Sequence, residues 1–207
     1  TNLGACGINK LCYNFMPVID WTRTDLERAW PDGSRALAFD ATDFAAFELY
    51  ILKRPGAEAD FDEDMRSRAA RRYEEMDAAT RLTLQHNIIA GLPGKMVEAY
   101  TLSDFQTALD SYANLTPADL RANLAYFLRA VVPTAAAANV LMAIHPDDPP
   151  TPLLGLPRVV STADDVQALL NAVDDRHNGL TFCVGSYASN TINKAEEMAE
   201  RFASRTH

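Results

Sequence analysis

A chain of 207 residues, 48% hydrophobic and 23% charged, has an ordinary globular composition and enough length for one substantial core or part of a larger one. Its net charge of −9, with no Lys/Arg cluster to track phosphates, disfavours nucleic-acid binding, and no apolar run approaches the ~20 residues of a membrane span. Three scattered cysteines (Cys6, Cys12, Cys183) are too few for a disulfide framework, and no signal peptide is visible, so a reducing cytoplasm is the expected compartment.

The first residue is Thr1 and the last predicted helix runs almost to His207, so both ends read as cut. Residues 1–7 (TNLGACG) read as the end of a helix with a glycine stop, and residues 8–13 (INKLCY) as a strand. The loop at 14–25 is dense in groups that grip polyols: Asn14, Asp20, Trp21, Arg23 and Asp25. A turn whose Asp and Thr cap the next helix is the competing reading. Pro31-Asp32-Gly33-Ser34 is a turn signal. Asp40 caps a predicted helix over 41–53, which Arg54-Pro55-Gly56 breaks. Residues 58–76 put acids first (Asp60, Asp62, Glu63, Asp64) and bases later (Arg66, Arg68, Arg71, Arg72), which suits a helix dipole and a solvated face. A further helix over 78–90 is ended by the breaker Gly91-Leu92-Pro93-Gly94.

Thr101 with Asp104, and Thr116 with Asp119, carry capping signatures, the second with Pro117 at the first helical position. The second helix is expected to reach about residue 138, kinked at Pro133, with Asn139 as its stop. Residues 140–144 (VLMAI) are a short apolar run bounded by prolines, the pattern of a strand buried on both faces of a parallel sheet. The run ends at His145, and an acidic loop follows: Pro146, Asp147, Asp148, Pro149, Pro150. Arg158-Val159-Val160 is short and apolar. Thr162 to Asp165 caps a helix that Asn178-Gly179 ends. Residues 180–184 (LTFCV) read as a second buried strand, Gly185-Ser186-Tyr187 as its exit loop, and 193–204 as a last amphipathic helix.

Strands alternating with helices argue for an α/β protein with a parallel sheet. Three strand ends then carry polar groups, Asn14, His145 and Cys183, and right-handed crossovers put such ends on one face, where α/β proteins bind ligands. Imidazole and thiolate are both metal ligands. Against that stand a hydrogen-bonded structural histidine and a packed cysteine. Asp147 and Asp148 are open between orienting the histidine, ligating, and capping a turn. Cys6 and Cys12 read as inert, and His86 and His177 as surface residues with no visible partner. The 38-residue step from His145 to Cys183 is close to one unit of an eight-fold barrel of ~250 residues. The helical excursion over 40–115 then reads as an insertion or lid over the catalytic face.

Four collinear blocks, spread over almost the whole chain, resemble mannonate dehydratase. They are residues 11–26 (LCYNFMPVIDWTRTDL), 44–59 (FAAFELYILKRPGAEA), 142–161 (MAIHPDDPPTPLLGLPRVVS) and 181–187 (TFCVGSY). The resemblance implies a (β/α)8 TIM barrel of the xylose-isomerase-like superfamily. Here it would be a single partial-barrel domain over 1–207, holding strands three to five and the start of six, with 40–115 as a helical insertion after strand three. It implies a lyase that removes water from D-mannonate to give 2-keto-3-deoxy-D-gluconate in hexuronate breakdown, with Mn2+ or Fe2+ as the divalent metal. Two ligand positions carry over, His145 from the HPDDP block and Cys183 from the C-x-G-S-Y block. The later His and Asp of the family belong to strands outside this chain, and His207 is not the third ligand. Ala188 departs from the family, which usually has Gly after Ser-Tyr.

Asn14, Arg23, Asp147 and Asp148 are the candidate substrate contacts, and no general acid or base is assigned. Thiolate softness alone favours zinc or iron over manganese, so the metal's identity rests on the resemblance. The expected partners are the sugar acid and, for assembly, a second copy in a homodimer; nucleic acid and membrane are not expected. Two alternatives stand. One is a sugar isomerase or epimerase on the same barrel, sharing the α-proton abstraction without loss of water. The other is an inactive partial chain with only a structural role, because three strands cannot close a barrel and open edges invite aggregation.

Overall fold

A computed structural model describes residues 1–90 and 101–207, so the expected breaker at Gly91-Leu92-Pro93-Gly94 lies outside the described residues. In chain order the elements begin with α1 (Asn2–Ala5), β1 (Lys10–Tyr13), β2 (Asp25–Ala29) and β3 (Arg35–Ala38). Next come α2 (Ala41–Ala46), a π-helical turn (Phe47–Leu52), a 3-10 turn (Ala57–Asp60), α3 (Glu63–Glu75), α4 (Ala78–Ile89) and α5 (Leu102–Asp110). The chain continues with α6 (Pro117–Ala137), β4 (Leu141–Ile144), α7 (Ala163–Ala172), β5 (Asn178–Leu180), α8 (Val184–Ala188), α9 (Ala195–Phe202) and a 3-10 turn (Ala203–Arg205). Two compact units divide it: Thr1–Met16 with Asn114–Leu153 and Pro157–His207, and Pro17–Ala113 with Leu154–Leu156.

The first unit is an α/β layer. Its sheet is parallel, in the order β1-β4-β5, with Tyr13 opposite Ile144 and Ile144 opposite Leu180. β4 is central, and its Met142, Ala143 and Ile144 are all buried, as the apolar run predicts. α6 lays Leu120, Leu124, Leu128 and Val132, an i,i+4 stripe, into a core with Ile144, Leu180, Val166 and Leu169. Both capping boxes form, Thr116 with Asp119 and Thr162 with Asp165, so each helix starts where its sequence says. Asn139 turns the chain between α6 and β4 at φ 53°, a left-handed conformation that asparagine tolerates.

The third strand corrects the sequence reading. It covers Asn178–Leu180, not 180–184, and Gly185-Ser186-Tyr187 lies in α8 rather than in an exit loop. Asn178-Gly179 resembles a turn signal, but tertiary contacts override it. The Asn178 side chain is fully buried and donates to the carbonyls of Leu169 and Val173. Gly179 is needed for close approach, since a Cβ there would lie 2.5 Å from the Arg205 carbonyl oxygen. Beside β5, Thr206 forms an isolated parallel bridge with Leu180. His177 is not a partnerless surface residue: it is half-buried, with Nδ1 2.8 Å from Asp175 Oδ1. His86 is exposed, as expected.

The second unit is mostly helical and carries an antiparallel hairpin, β2–β3, around the expected turn. Asp32 builds that turn by accepting from the Ser34 amide and hydroxyl. Asp40 caps α2 by accepting from Thr42 and Asp43 amides. The helix predicted over 41–53 continues past α2 as the π turn and stops at Lys53 in the left-handed region. Phe44, Phe47 and Phe105 pack through its core as tilted ring pairs at centroid separations of 6.4 Å. The charged stretch at 58–76 is split: Ala57–Asp60 is a 3-10 turn, and Asp62 caps α3. Among the described residues no helix is long and apolar enough to cross a membrane.

Candidate active site

The sheet of the first unit delivers His145 rigidly. Beyond β4 the ladder continues one step: the His145 amide donates to the Tyr13 carbonyl at 2.8 Å, and the Thr181 amide to the Ile144 carbonyl at 2.9 Å. Tyr13, Ile144 and Leu180 pack into the core beneath α6 and α7. Strand side chains alternate, so Asn14, His145 and Thr181, one step further on, take the opposite face. Asn14 and His145 thus stand just past their strands as expected, but Thr181, not Cys183, takes that place after the third, because β5 ends at Leu180.

His145 is buried, at 8% exposure. Its Nδ1 lies 2.8 Å from the Pro146 carbonyl oxygen, which only accepts, so Nδ1 carries a proton and, in the neutral ring, Nε2 the lone pair. That is the tautomer in which metal-binding histidines are usually held.

The two aspartates that follow have different surroundings. Asp147 is 1% exposed, and its Oδ2 accepts from the Val160 amide and the Ser161 hydroxyl, both at 2.7 Å. The Arg158 guanidinium stands 4.0 Å from its Oδ1. Burial pushes the Asp147 carboxyl above the usual carboxylate range, against the pull of Arg158 and its donors. These contacts close the loop at 147–161 on itself. They favour a positioning role for Asp147 over the direct substrate contact expected for it. Asp148 is half-buried, and its Oδ2 accepts from the Ser186 hydroxyl at 3.3 Å.

Cys183 follows β5 and is the N-cap residue of α8. It is half-buried, and the Ser186 hydroxyl lies 3.2 Å from its Sγ. Ser186, 2% exposed, therefore touches both predicted motifs, HPDDPP through Asp148 and TFCVGSY through Cys183. Beneath them Tyr187 is fully buried, its ring 5.1 Å from that of Phe182, and burial raises its phenol. Asn14 is half-buried in the first unit; Arg23 is half-buried in the second and donates to the Thr22 carbonyl at 2.8 Å.

Sequence reasoning missed Ser186, Ser161 and Arg158. Each sits inside one of the family-like blocks, but its role depends on a partner elsewhere in the chain: Asp147 for Arg158 and Ser161, 11 and 14 residues away, and Cys183 and Asp148 for Ser186, 3 and 38 away. Cys12 is exposed and accepts from Thr181 Oγ1.

As a donor set for a divalent cation, His145 and Cys183 fit: the imidazole tautomer is fixed by a carbonyl and the sulfur has a hydroxyl beside it. Among the described residues no three His, Cys, Asp or Glu side chains gather as a metal site.

A family profile described as D-mannonate dehydratase (UxuA) matches residues 1–207. A mannonate dehydratase of Chromohalobacter salexigens is 54% identical over 206 residues, covering 100% of this chain and 52% of that protein. One from a Marinomonas species is 52% identical over 203 residues, covering 98% of this chain and 52% of the relative. The crystal structure of mannonate dehydratase from Streptococcus suis serotype 2 superposes with a TM-score of 0.66 at 37% identity, covering 100% of this chain and 45% of the other. The chain spans about half the length of the relatives it matches. The chain belongs to the D-mannonate dehydratase family.

Proposed function

We propose that this chain supplies the His–Cys part of the metal site of an enzyme that dehydrates D-mannonate to 2-keto-3-deoxy-D-gluconate. The observation that carries the reading is the buried His145 imidazole, its Nδ1 tied to the Pro146 carbonyl just past β4, with Cys183 following β5, the strand beside it. His145 Nε2 and Cys183 Sγ would hold Mn2+ or Fe2+, with the remaining ligands supplied from outside this chain. A divalent cation, when bound, supplies Lewis-acid stabilisation for negative charge that develops on the substrate's carboxylate as the C2 proton leaves.

The chain's own groups do the holding. Asp147 fixes the loop from Val160 back to His145, and with it the ring's position. Asp148, half-buried beside Ser186, and Asn14 are proposed contacts for the substrate's hydroxyls. Loss of the C3 hydroxyl then requires a positioned proton donor.

The proposal includes a partial TIM barrel. The order β1-β4-β5, extended by the Thr206 bridge, adds each parallel strand beside the one before it, as a barrel does; a doubly wound sheet reverses direction. In this reading residues 40–115 are an insertion in that barrel.

The test is 2-keto acid formation from D-mannonate by the full native polypeptide, chelated and then supplied with Mn2+ or Fe2+. The proposal expects metal-dependent product that His145→Ala abolishes. Folded protein that gives no product with either metal, or that gives an isomer of the aldonate without loss of water, overturns it.

A further inference from the structure

Ser186 has a chemistry that the proposed reaction does not use. Its side chain is buried, in the five-residue helix α8, yet its Oγ sits between two groups that both attract a proton: Cys183 Sγ at 3.2 Å and Asp148 Oδ2 at 3.3 Å. Its neighbour Ser189 turns away and donates to the Ser186 carbonyl. A hydroxyl has one proton and two lone pairs. It can donate to the sulfur or to the carboxylate, and whichever it does not serve faces a lone pair.

We propose that Ser186 is a positioning residue that divides its single proton between Cys183 Sγ and Asp148 Oδ2, and so sets how strongly the sulfur binds a divalent cation. The inference rests on the metal reading above. When the hydroxyl donates to the sulfur, it stabilises the sulfur lone pairs and fixes the side chain's direction. When it donates to Asp148, the sulfur lone pairs rise in energy but the side chain loses the contact that fixes its direction, and the cation is held more weakly. The hydroxyl therefore couples the two motifs: whatever engages Asp148, a substrate hydroxyl included, changes the hydrogen bond on the cysteine. Outer partners of this kind typically change metal affinity 10–100-fold.

The experiment is a Co2+ titration of the chelated full native polypeptide, followed by the thiolate-to-Co2+ charge-transfer band, which Cys183→Ala must abolish. Ser186→Ala is expected to bind Co2+ about 10–100-fold more weakly and to move the band to longer wavelength, because the sulfur loses a hydrogen bond. Ser186→Thr keeps a hydroxyl and is expected to restore both. Asp148→Asn, at a half-buried position, weakens the competing acceptor and is expected to move the band the other way, to shorter wavelength. This opposite shift does not depend on Ser186→Ala folding, and a general loosening of the site does not produce it. An unchanged band and affinity in Ser186→Ala, or an unshifted band in Asp148→Asn, overturns the role of Ser186 and leaves the metal reading standing. A wild-type protein with no cysteine-dependent band overturns the metal reading and this proposal with it.

Discussion

Asp147 in the first unit and Glu48 in the second are carboxyls taken out of water to the same degree, 1% exposed each, and the fold satisfies them in different ways. Glu48, on the π-helical turn, accepts from Arg54 Nε at 2.6 Å, and Arg54 also pairs with Asp60. Asp147 has its arginine at 4.0 Å and is held mainly by an amide and a hydroxyl at 2.7 Å. Burial raises both carboxyls against the pull of their arginines. The first arrangement is an ion pair bracing a scaffold. The second shapes a loop, because its donors, Val160 and Ser161, come from the far end of the segment that begins at His145. The lesson is that a buried acid beside a candidate site is not by itself a reacting group; its partners say what it does.

The largest effect expected from this contrast is in the second unit. Arg54→Leu leaves Glu48 buried without its cation and should cost about 3–5 kcal/mol, read as a lowered midpoint in urea unfolding. A loss below about 1 kcal/mol would place the pair among ordinary surface bridges. Asp147→Asn keeps the shape but weakens two hydrogen bonds to a charged acceptor, and should cost about 2 kcal/mol. If Asp147 positions the loop, that variant also binds the divalent cation more weakly; unchanged metal affinity would mean that Val160 and Ser161 do not hold His145 in place.

The smallest effect is a pH dependence. Because burial raises the Glu48 carboxyl, the folded state takes up its proton more readily than the unfolded chain. Its contribution to stability is then greatest below the unfolded value and declines as pH rises from there through the folded value. Glu48→Gln should remove that decline, so the gap in stability between wild type and variant shifts against the wild type as pH rises through this window. A gap that shifts in the wild type's favour would mean that Arg54 outweighs burial.

Much of the first unit was legible because its signals are local. Five apolar residues closed by prolines read as a short buried strand, and Thr116-Pro117 with Asp119 marks a helix start within four residues. The hairpin β2–β3 left only its turn to read, because both strands are largely exposed and carry no alternation of apolar and polar residues. The boundary of β5 was misplaced because Asn178-Gly179 has the chemistry of a turn. What keeps it in the sheet is the fit of the Asn178 amide to two carbonyls and the close approach of Arg205, which are tertiary facts. His145 and Cys183 stood out as strand-end residues. Ser186 did not, since a serine in Gly-Ser-Tyr looks like loop chemistry until the fold sets it between Cys183 and Asp148.

If Cys183 and His145 hold a divalent cation that the reaction needs, losing the thiolate should remove metal and turnover together. The most direct test is the metal content of purified Cys183→Ala full-length protein, measured beside its rate of 2-keto acid formation from D-mannonate. The account predicts that bound metal and activity fall together while the fold, read by far-UV circular dichroism, is retained. Metal bound at the wild-type level with wild-type activity would contradict it.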